Sequence, residues 1–464
     1  MELFQLTATR ATAMFHRREL SPVELLEAVI ARTEATEPVI NAVTEQWIDE
    51  ARVSAALSER RYAQGEAVRP LEGIPLMLKD EQPIAGRLLE DGSLLEKGHI
   101  ADVTHPIVDR IIESGAVIHG RTTTPEYCCA PVTHTTLWGI TRNPWNPDYT
   151  PGGSSGGSGA VLAAGSTILA TGSDIGGSIR IPSSFCGVVG FKPPFGRVPG
   201  LAPFNSDTYC ADGPMGRSVA DVAMLQNVIS GPWSGDAASL RPQLPVSGEP
   251  TSLAGMRIAL CIDLGGYRVD PAVEANTRAA AAALVEAGAI VEEVTLPWGP
   301  ERVHETAWPH FGAVMGPFIE SVADGDPDKT AQLMPYTRAF AYSAANSASY
   351  IDGLVAETDF YRPFGELMMR YDALVCPTVA GTGLAADEPC TDTRDVFAQL
   401  MTLPFNVIGR VPVLAVPSGK APNGVPTGVQ IVGRTYDDTT VFRVGAALER
   451  ELELWTDPAW WPSI

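Results

Sequence analysis

"GGSSGGSGAVLAAGSTILATGSDIGGSIR", residues 152–180, sets glycine- and serine-rich runs around one apolar core. Glycine and serine in bulk usually mark a flexible tether. The central "AVLAAGSTILATG" is too apolar for that and reads as a buried helix leading into a buried strand. Glycines flanking a buried element mark backbone that turns tightly or comes close to something.

Working outward, strand-like runs recur at "LEGIPLMLKD", "GAVIHGRT", "MRIALCID", "ALVCPTV", "VPVLAVPSG" and "GVQIVGRT". Helical spacing separates them, as in "VAMLQNVIS", "PAVEANTRAAAAALVEAG" and "TVFRVGAALERELE". Near the start, Ser21 and Pro22 form a cap and first-turn pair ahead of an amphipathic helix. The alternation predicts an α/β fold with a mixed, largely parallel central sheet covered by helices on both faces. Residues 231–252, rich in Pro, Gly and Ser, read equally as a linker or an exposed loop. Residues 295–350 are aromatic and irregular, and read either as a pocket cap or as ordinary core packing.

With 464 residues and 45% hydrophobic content the chain supports a large core. Its 55 acidic against 33 basic residues, a formal charge of -22, leave no global field for nucleic acid or an anionic membrane. No run approaches the roughly 18 apolar residues of a spanning helix, and the first residues lack the apolar core of a secretory signal. Seven cysteines without a CxxC pair point to a reduced, cytoplasmic protein. Histidines in no HxH or HExxH pattern give no spacing argument for a metal.

A GxSxG pattern centres on Ser155, but the proline-rich "TRNPWNPDYTP" before it is no strand, so a nucleophile elbow is disfavoured. No GxxxxGK[ST] loop occurs. Lys79 closes the buried run "GIPLMLKD". An ammonium there is either paired, with Asp80 the nearest acid, or shifted toward neutrality so that it accepts a proton from a hydroxyl. Ser178 follows Gly176 and Gly177, whose unobstructed amides suit the stabilisation of an oxyanion.

Taken with "TTTPEY", "GITRNPWNP", "GSDIGGSIRIPSSFCGVVGFKPPFGRVP" and "FNVIGRVPVLAVPSGKAPNGVPTGVQIVGRTYDD", these segments resemble the amidase signature family over nearly the whole chain. The resemblance implies a single amidase domain over 1–464, with a more variable region at 295–350. It implies a triad of Lys79, Ser154 held by a cis peptide, and nucleophilic Ser178, with an oxyanion hole from the amides of Ile175, Gly176, Gly177 and Ser178. Ser155 and Ser173 would hydrogen-bond this network, Asp174 and Arg180 would support its backbone, and no metal or organic cofactor would be needed. Cys128 would contact substrate. Arg197 would either approach substrate or form a structural ion pair.

The implied activity is hydrolysis of a small or medium organic amide through a serine acyl-enzyme, with esters and carbamates as related substrates. Its partner would be that small-molecule amide, with the chain a monomer or homodimer. The alternative is the A subunit of a tRNA-dependent amidotransferase releasing ammonia from glutamine. Such subunits usually carry "SSLDQIGP" after the signature, where this chain reads "FNSDTYCADGPMGRSVADVAMLQNVISG". Glu90, Asp91, Cys128, Cys129, Ser173 and Pro194 depart from the usual family pattern. Trp298, Trp308, Phe311, Tyr336, Phe340 and Tyr342 suggest an aryl or bulky acyl preference.

Overall fold

The computed structural model describes residues 2–464. Its strands in chain order are β1 (Val43–Gln46), β2 (Pro75–Lys79), β3 (Val117–Thr122), β4 (His134–Thr135), β5 (Gly139–Ile140), β6 (Leu169–Asp174), β7 (Val189–Lys192), β8 (Ala211–Gly216), β9 (Arg257–Leu260), β10 (Ile290–Glu293), β11 (Ala373–Pro377), β12 (Val413–Lys420) and β13 (Pro426–Gly433). Eleven of them form one sheet in the order β1-β3-β2-β6-β8-β7-β12-β13-β11-β9-β10, and β4 pairs with β5 in a small ribbon.

The sheet is mixed, but parallel pairings are fewer than the sequence pattern predicts. β3-β2, β2-β6, β11-β9 and β9-β10 are parallel, and they lie toward the two flanks. The six other pairings are antiparallel, with those around β8, β7, β12 and β13 filling the centre. The cause is local. β7 and β8, which periodicity does not reveal among glycines and Pro214, insert antiparallel between the halves, and β12 returns directly into β13. β6 and β7, joined through the helix Arg180–Cys186, run parallel to each other, but β8 is inserted antiparallel between them.

Helices cover both faces because the strands alternate at a period of two. Ala373 and Val375 of β11 pack with Ile258 and Leu260 of β9 against the helices Pro271–Glu286 and Asp438–Leu452. Leu374, Cys376 and Ala259 face the opposite layer, which holds Trp298, Trp308, Phe360 and Phe364. The N-terminal helix Pro22–Ile40 starts with reciprocal Ser21 and Glu24 capping bonds, as its cap residues require.

Residues 231–252 form an irregular loop tied to the body, since Asn227 exchanges two 2.8 Å hydrogen bonds with the Val246 backbone. The 295–350 region is helical rather than irregular, in Pro300–Ala313, Met315–Ala323, Pro327–Gln332 and Pro335–Ala345. Three of its prolines occupy first turns, where the missing N–H costs nothing, so they begin helices instead of breaking them. Among the described residues no helix is long and apolar enough to cross a membrane.

Candidate active site

Three elements converge where the opening stretch folds. Lys79 ends β2 and is completely buried. Its Nζ donates to Ser154 Oγ at 2.7 Å and to Ser173 Oγ at 2.9 Å. Ser154 follows Gly153 through a cis peptide bond. Gly153 is required there, because a Cβ would sit 2.5 Å from the Val132 carbonyl oxygen and 2.6 Å from that of Ala130. Ser155 locks the two halves together: its N–H donates to the Ser178 carbonyl at 3.1 Å, and its Oγ accepts from Ser173 N–H at 3.3 Å.

The turn after β6 is held from below. Asp174 and Arg180 are both fully buried and form a bidentate pair at 2.8 and 2.9 Å. The remaining Arg180 donors go to the Thr402 carbonyl, Gln430 Oε1 and Asn406 Oδ1, so every N–H of this guanidinium is matched. Burial alone would raise the Asp174 carboxyl, but Arg180 and the Asn406 amide outweigh it and hold the group below the usual carboxylate range.

Asp174 Oδ1 also accepts the Gly177 N–H at 2.9 Å. This corrects the expected oxyanion hole, because the Gly177 amide is engaged inward. The amides of Ile175, Gly176 and Ser178 have no acceptor among the described residues. Gly177 has φ +130°, and a Cβ on it would fall 2.1 Å from Thr402 Oγ1, which itself donates to the Gly176 carbonyl at 2.7 Å. Gly177→Ala is therefore expected to displace the turn and lower kcat by about 10²–10³, the typical cost of losing one oxyanion donor, as steady-state kinetics would register.

The sequence leaves Lys79 either paired with Asp80 or shifted toward neutrality, and the structure surrounds it with a carboxylate other than Asp80. Asp80, one residue on, faces the other way and pairs with Arg121 at 3.5 Å. Glu81 instead brings Oε1 to 3.3 Å from Lys79 Nζ, and its Oε2 accepts from Cys128 Sγ at 2.7 Å. Burial pushes Lys79 down, and negative charge on its two acidic neighbours, Cys128 and Glu81, pushes it up. Burial carries the Cys128 thiol to about 12, so it is a neutral donor and the negative charge facing Lys79 belongs to Glu81. Burial raises that carboxyl, but Lys79 together with the Cys128 and Ser173 hydrogen bonds outweighs it and holds the group below its ordinary value.

Two cavities meet at this centre. One of about 320 Å³ is lined by Glu81, Asp91, Cys128, Ser173, Ile175, Asp212, Tyr127, Phe204, Met315 and Phe318 among others. A narrower one of about 30 Å³ is lined by Ser178, Gly153, Gly176, Cys128, Ile175, Phe311, Phe340 and Phe397 among others. Cys128, Ile175 and Met315 belong to both. No lysine or arginine lines either one, and the histidine of the larger cavity, His105, faces Asp212 at 3.5 Å.

Arg197 is not at the cavity wall. It is buried in a two-bond ion pair with Asp438 at 3.0 Å, the structural one of its two expected roles. Of the six aromatics weighed for substrate preference, Phe311 and Phe340 reach the narrow cavity. Trp298 is core, Tyr336 bridges Glu126 N–H and the His134 carbonyl, and Tyr342 is 74% exposed. Sequence reasoning missed Glu81, Asn406, Thr402 and Gln430. Glu81 lies past the end of β2, and the turn whose Glu81 N–H donates to the Lys79 carbonyl at 2.9 Å, not strand alternation, brings it beside the amine. The other three approach only through the fold.

The Amidase family profile matches residues 24–442. The chain is 34% identical to the A subunit of the glutamyl-tRNA(Gln) amidotransferase of Synechococcus sp. (strain CC9605), over 94% of each chain. It is 32% identical to the protein of the same name from Chloroflexus aurantiacus (strain ATCC 29366 / DSM 635 / J-10-fl), over 97% and 98%. Among solved structures, a bacterial aryl acylamidase of the amidase signature family superposes with a TM-score of 0.89 at 29% identity over 97% of each chain. A 6-aminohexanoate cyclic dimer hydrolase complexed with substrate superposes at 0.86, also with 29% identity, over 99% of each. A match that spans the sheet, the glycine-serine stretch and the β12-β13 return leaves one assignment: the chain belongs to the amidase signature family of amidohydrolases.

Proposed function

We propose that this amidohydrolase is a free-standing amidase that cleaves the C–N bond of a small or medium, largely apolar organic amide. Ser178 Oγ attacks the carbonyl carbon while its proton passes to Ser154, whose own proton passes toward Lys79. The amides of Ile175, Gly176 and Ser178 receive the oxyanion. As the tetrahedral intermediate collapses, the proton returns through Ser154 to the leaving nitrogen, and the amine departs. Water, activated by the same relay, then releases the acid from Ser178. Phe311, Met315, Phe318 and Phe340, all from the 295–350 region, supply apolar surface to the cavities, and we read that region as a cap within one domain over 1–464.

The observation that carries the small-amide reading is the cavity lining. Glutamine would bring an α-carboxylate, and a buried carboxylate needs a cation or several donors. The walls offer Glu81, Asp91 and Asp212, with no lysine or arginine. The second reading, the A chain of an amidotransferase complex, draws on the identity of 34% and 32% to proteins of that name.

One panel separates them: purified protein assayed against aliphatic amides, anilides, esters, aryl carbamates and glutamine. Hydrolysis of an anilide or apolar amide without glutaminase activity is the expected outcome. Glutaminase activity alone, or silence relieved by a copurifying partner protein, would overturn the free-standing reading.

A further inference from the structure

Lys79 Nζ has three polar neighbours, Ser154 Oγ at 2.7 Å, Ser173 Oγ at 2.9 Å and Glu81 Oε1 at 3.3 Å. An ammonium has three hydrogens to give. That arrangement fits the protonated lysine, which cannot take a proton from Ser154 unless it gives one up. Glu81 Oε1 is buried and meets Lys79 as an ion pair without an aligned hydrogen bond, while its sister oxygen accepts from Cys128. The acceptor the ammonium needs is thus beside it and otherwise unused.

Resting on the serine-hydrolase reading above, we propose that Glu81 is the terminal proton acceptor of the relay, acting through Lys79. Ser178 loses its proton to Ser154, Ser154 passes its own to Lys79, and Lys79 passes one to Glu81 Oε1. Lys79 is an ammonium at the start and at the end of the transfer, and a neutral amine only while its lone pair turns from Glu81 to accept from Ser154. The negative charge leaves Glu81 and reappears on the substrate oxyanion, so no charge is created in the buried site. When the intermediate collapses, each proton steps back and the last goes to the leaving nitrogen, restoring the Glu81 carboxylate. Glu81 never touches substrate in this scheme and serves as a positioning and proton-holding residue.

The groups facing Glu81 fix the pH at which it works. Lys79 lies on its own segment, Cys128 on the turn Glu126–Cys128, Asp91 on the loop before Leu94, and Cys210 and Asp212 at the start of β8. Asp91 and Asp212 are raised by burial in the first place, and Cys210 well above its ordinary value for the same reason. Lys79, at 3.3 Å, is the one cation among these groups.

The test uses the full-length protein and a fluorophosphonate probe, whose reaction at Ser178 needs the relay but no known substrate. In the wild type, the acid limb of the labelling rate is expected to fall in the carboxylate range, where Glu81 becomes protonated. Glu81→Gln removes the acceptor, so labelling should require loss of a proton from Lys79 itself. The limb should move to higher pH by more than one unit, with labelling at neutral pH lowered on the order of 10²-fold. Glu81→Asp, shorter by one methylene, should restore the wild-type profile at a reduced rate. A rate loss in Glu81→Gln with an unmoved profile would assign Glu81 a packing role and overturn the proposal. If Glu81→Gln does not fold, the wild-type profile decides, since an acid limb in the lysine range overturns it equally. Undiminished labelling of Ser178→Ala would instead sink the serine-nucleophile reading, which keeps the two failures distinct.

Discussion

Ser178→Ala is expected to reduce hydrolysis of any substrate found by about 10⁵–10⁶-fold in kcat, the scale seen when an acyl-enzyme nucleophile is removed. The environment of the serines argues for this one. Ser154 and Ser173 already accept from Lys79, and Ser155 is bonded to the backbone of the Ser173 and Ser178 segments. The Ser178 hydroxyl makes no hydrogen bond among the described residues, and its side chain lines the narrow cavity beside the open amides. Removing a hydroxyl that holds nothing together should leave thermal unfolding unchanged to within about 0.5 kcal/mol. A folded, inactive variant is therefore the expected result, measured as kcat alongside a melting curve. Full activity in that variant would reject the acyl-enzyme mechanism.

The parts of this molecule legible in the sequence are those where one residue's needs are set locally. Lys79 closing a buried run, the glycines around Ser178 and the alternation of β11, β12 and β13 all follow from burial and backbone sterics. What the sequence hides depends on the partner. β7 and β8 carry glycines and Pro214, so their strand character comes from being clamped between β6 and β12 rather than from their own residues. The Gly177 amide is free by sequence, and only the fold brings Asp174 round to accept it. Lys79 stands alone or beside Asp80 by sequence, and the turn after β2 swings Glu81 onto its side. Arg197 lies beside a recognisable motif, yet its carboxylate partner is Asp438, far along the chain. Partners that close a loop of more than two hundred residues leave no local trace.

Arg180→Ala should be the most destabilising single change near the site. It leaves Asp174, itself inaccessible to solvent, without the cation that offsets its burial. Breaking a buried pair by removing one partner costs about 3–5 kcal/mol, mostly the penalty of the orphaned charge. Three further acceptors, the Thr402 carbonyl, Gln430 and Asn406, lose their donor at the same time. The pH dependence gives the argument a sign. In the wild type Asp174 is held below the usual carboxylate range, so its contribution is present above that range and lost as pH falls through the lowered value. In Arg180→Ala burial acts unopposed by the guanidinium and the carboxyl rises, so the variant is penalised above the range and relieved as the pH falls. The stability difference between the two proteins should therefore shrink on acidification, which urea unfolding at several pH values would measure. Adding Asp174→Asn to Arg180→Ala should recover part of the stability at neutral pH by removing the buried charge. Activity should stay lost, because the same carboxylate fixes the Gly177 amide and with it the turn that presents Ser178. A pH-independent loss below about 1 kcal/mol would mean that the pair is an incidental contact rather than the support on which that turn is built.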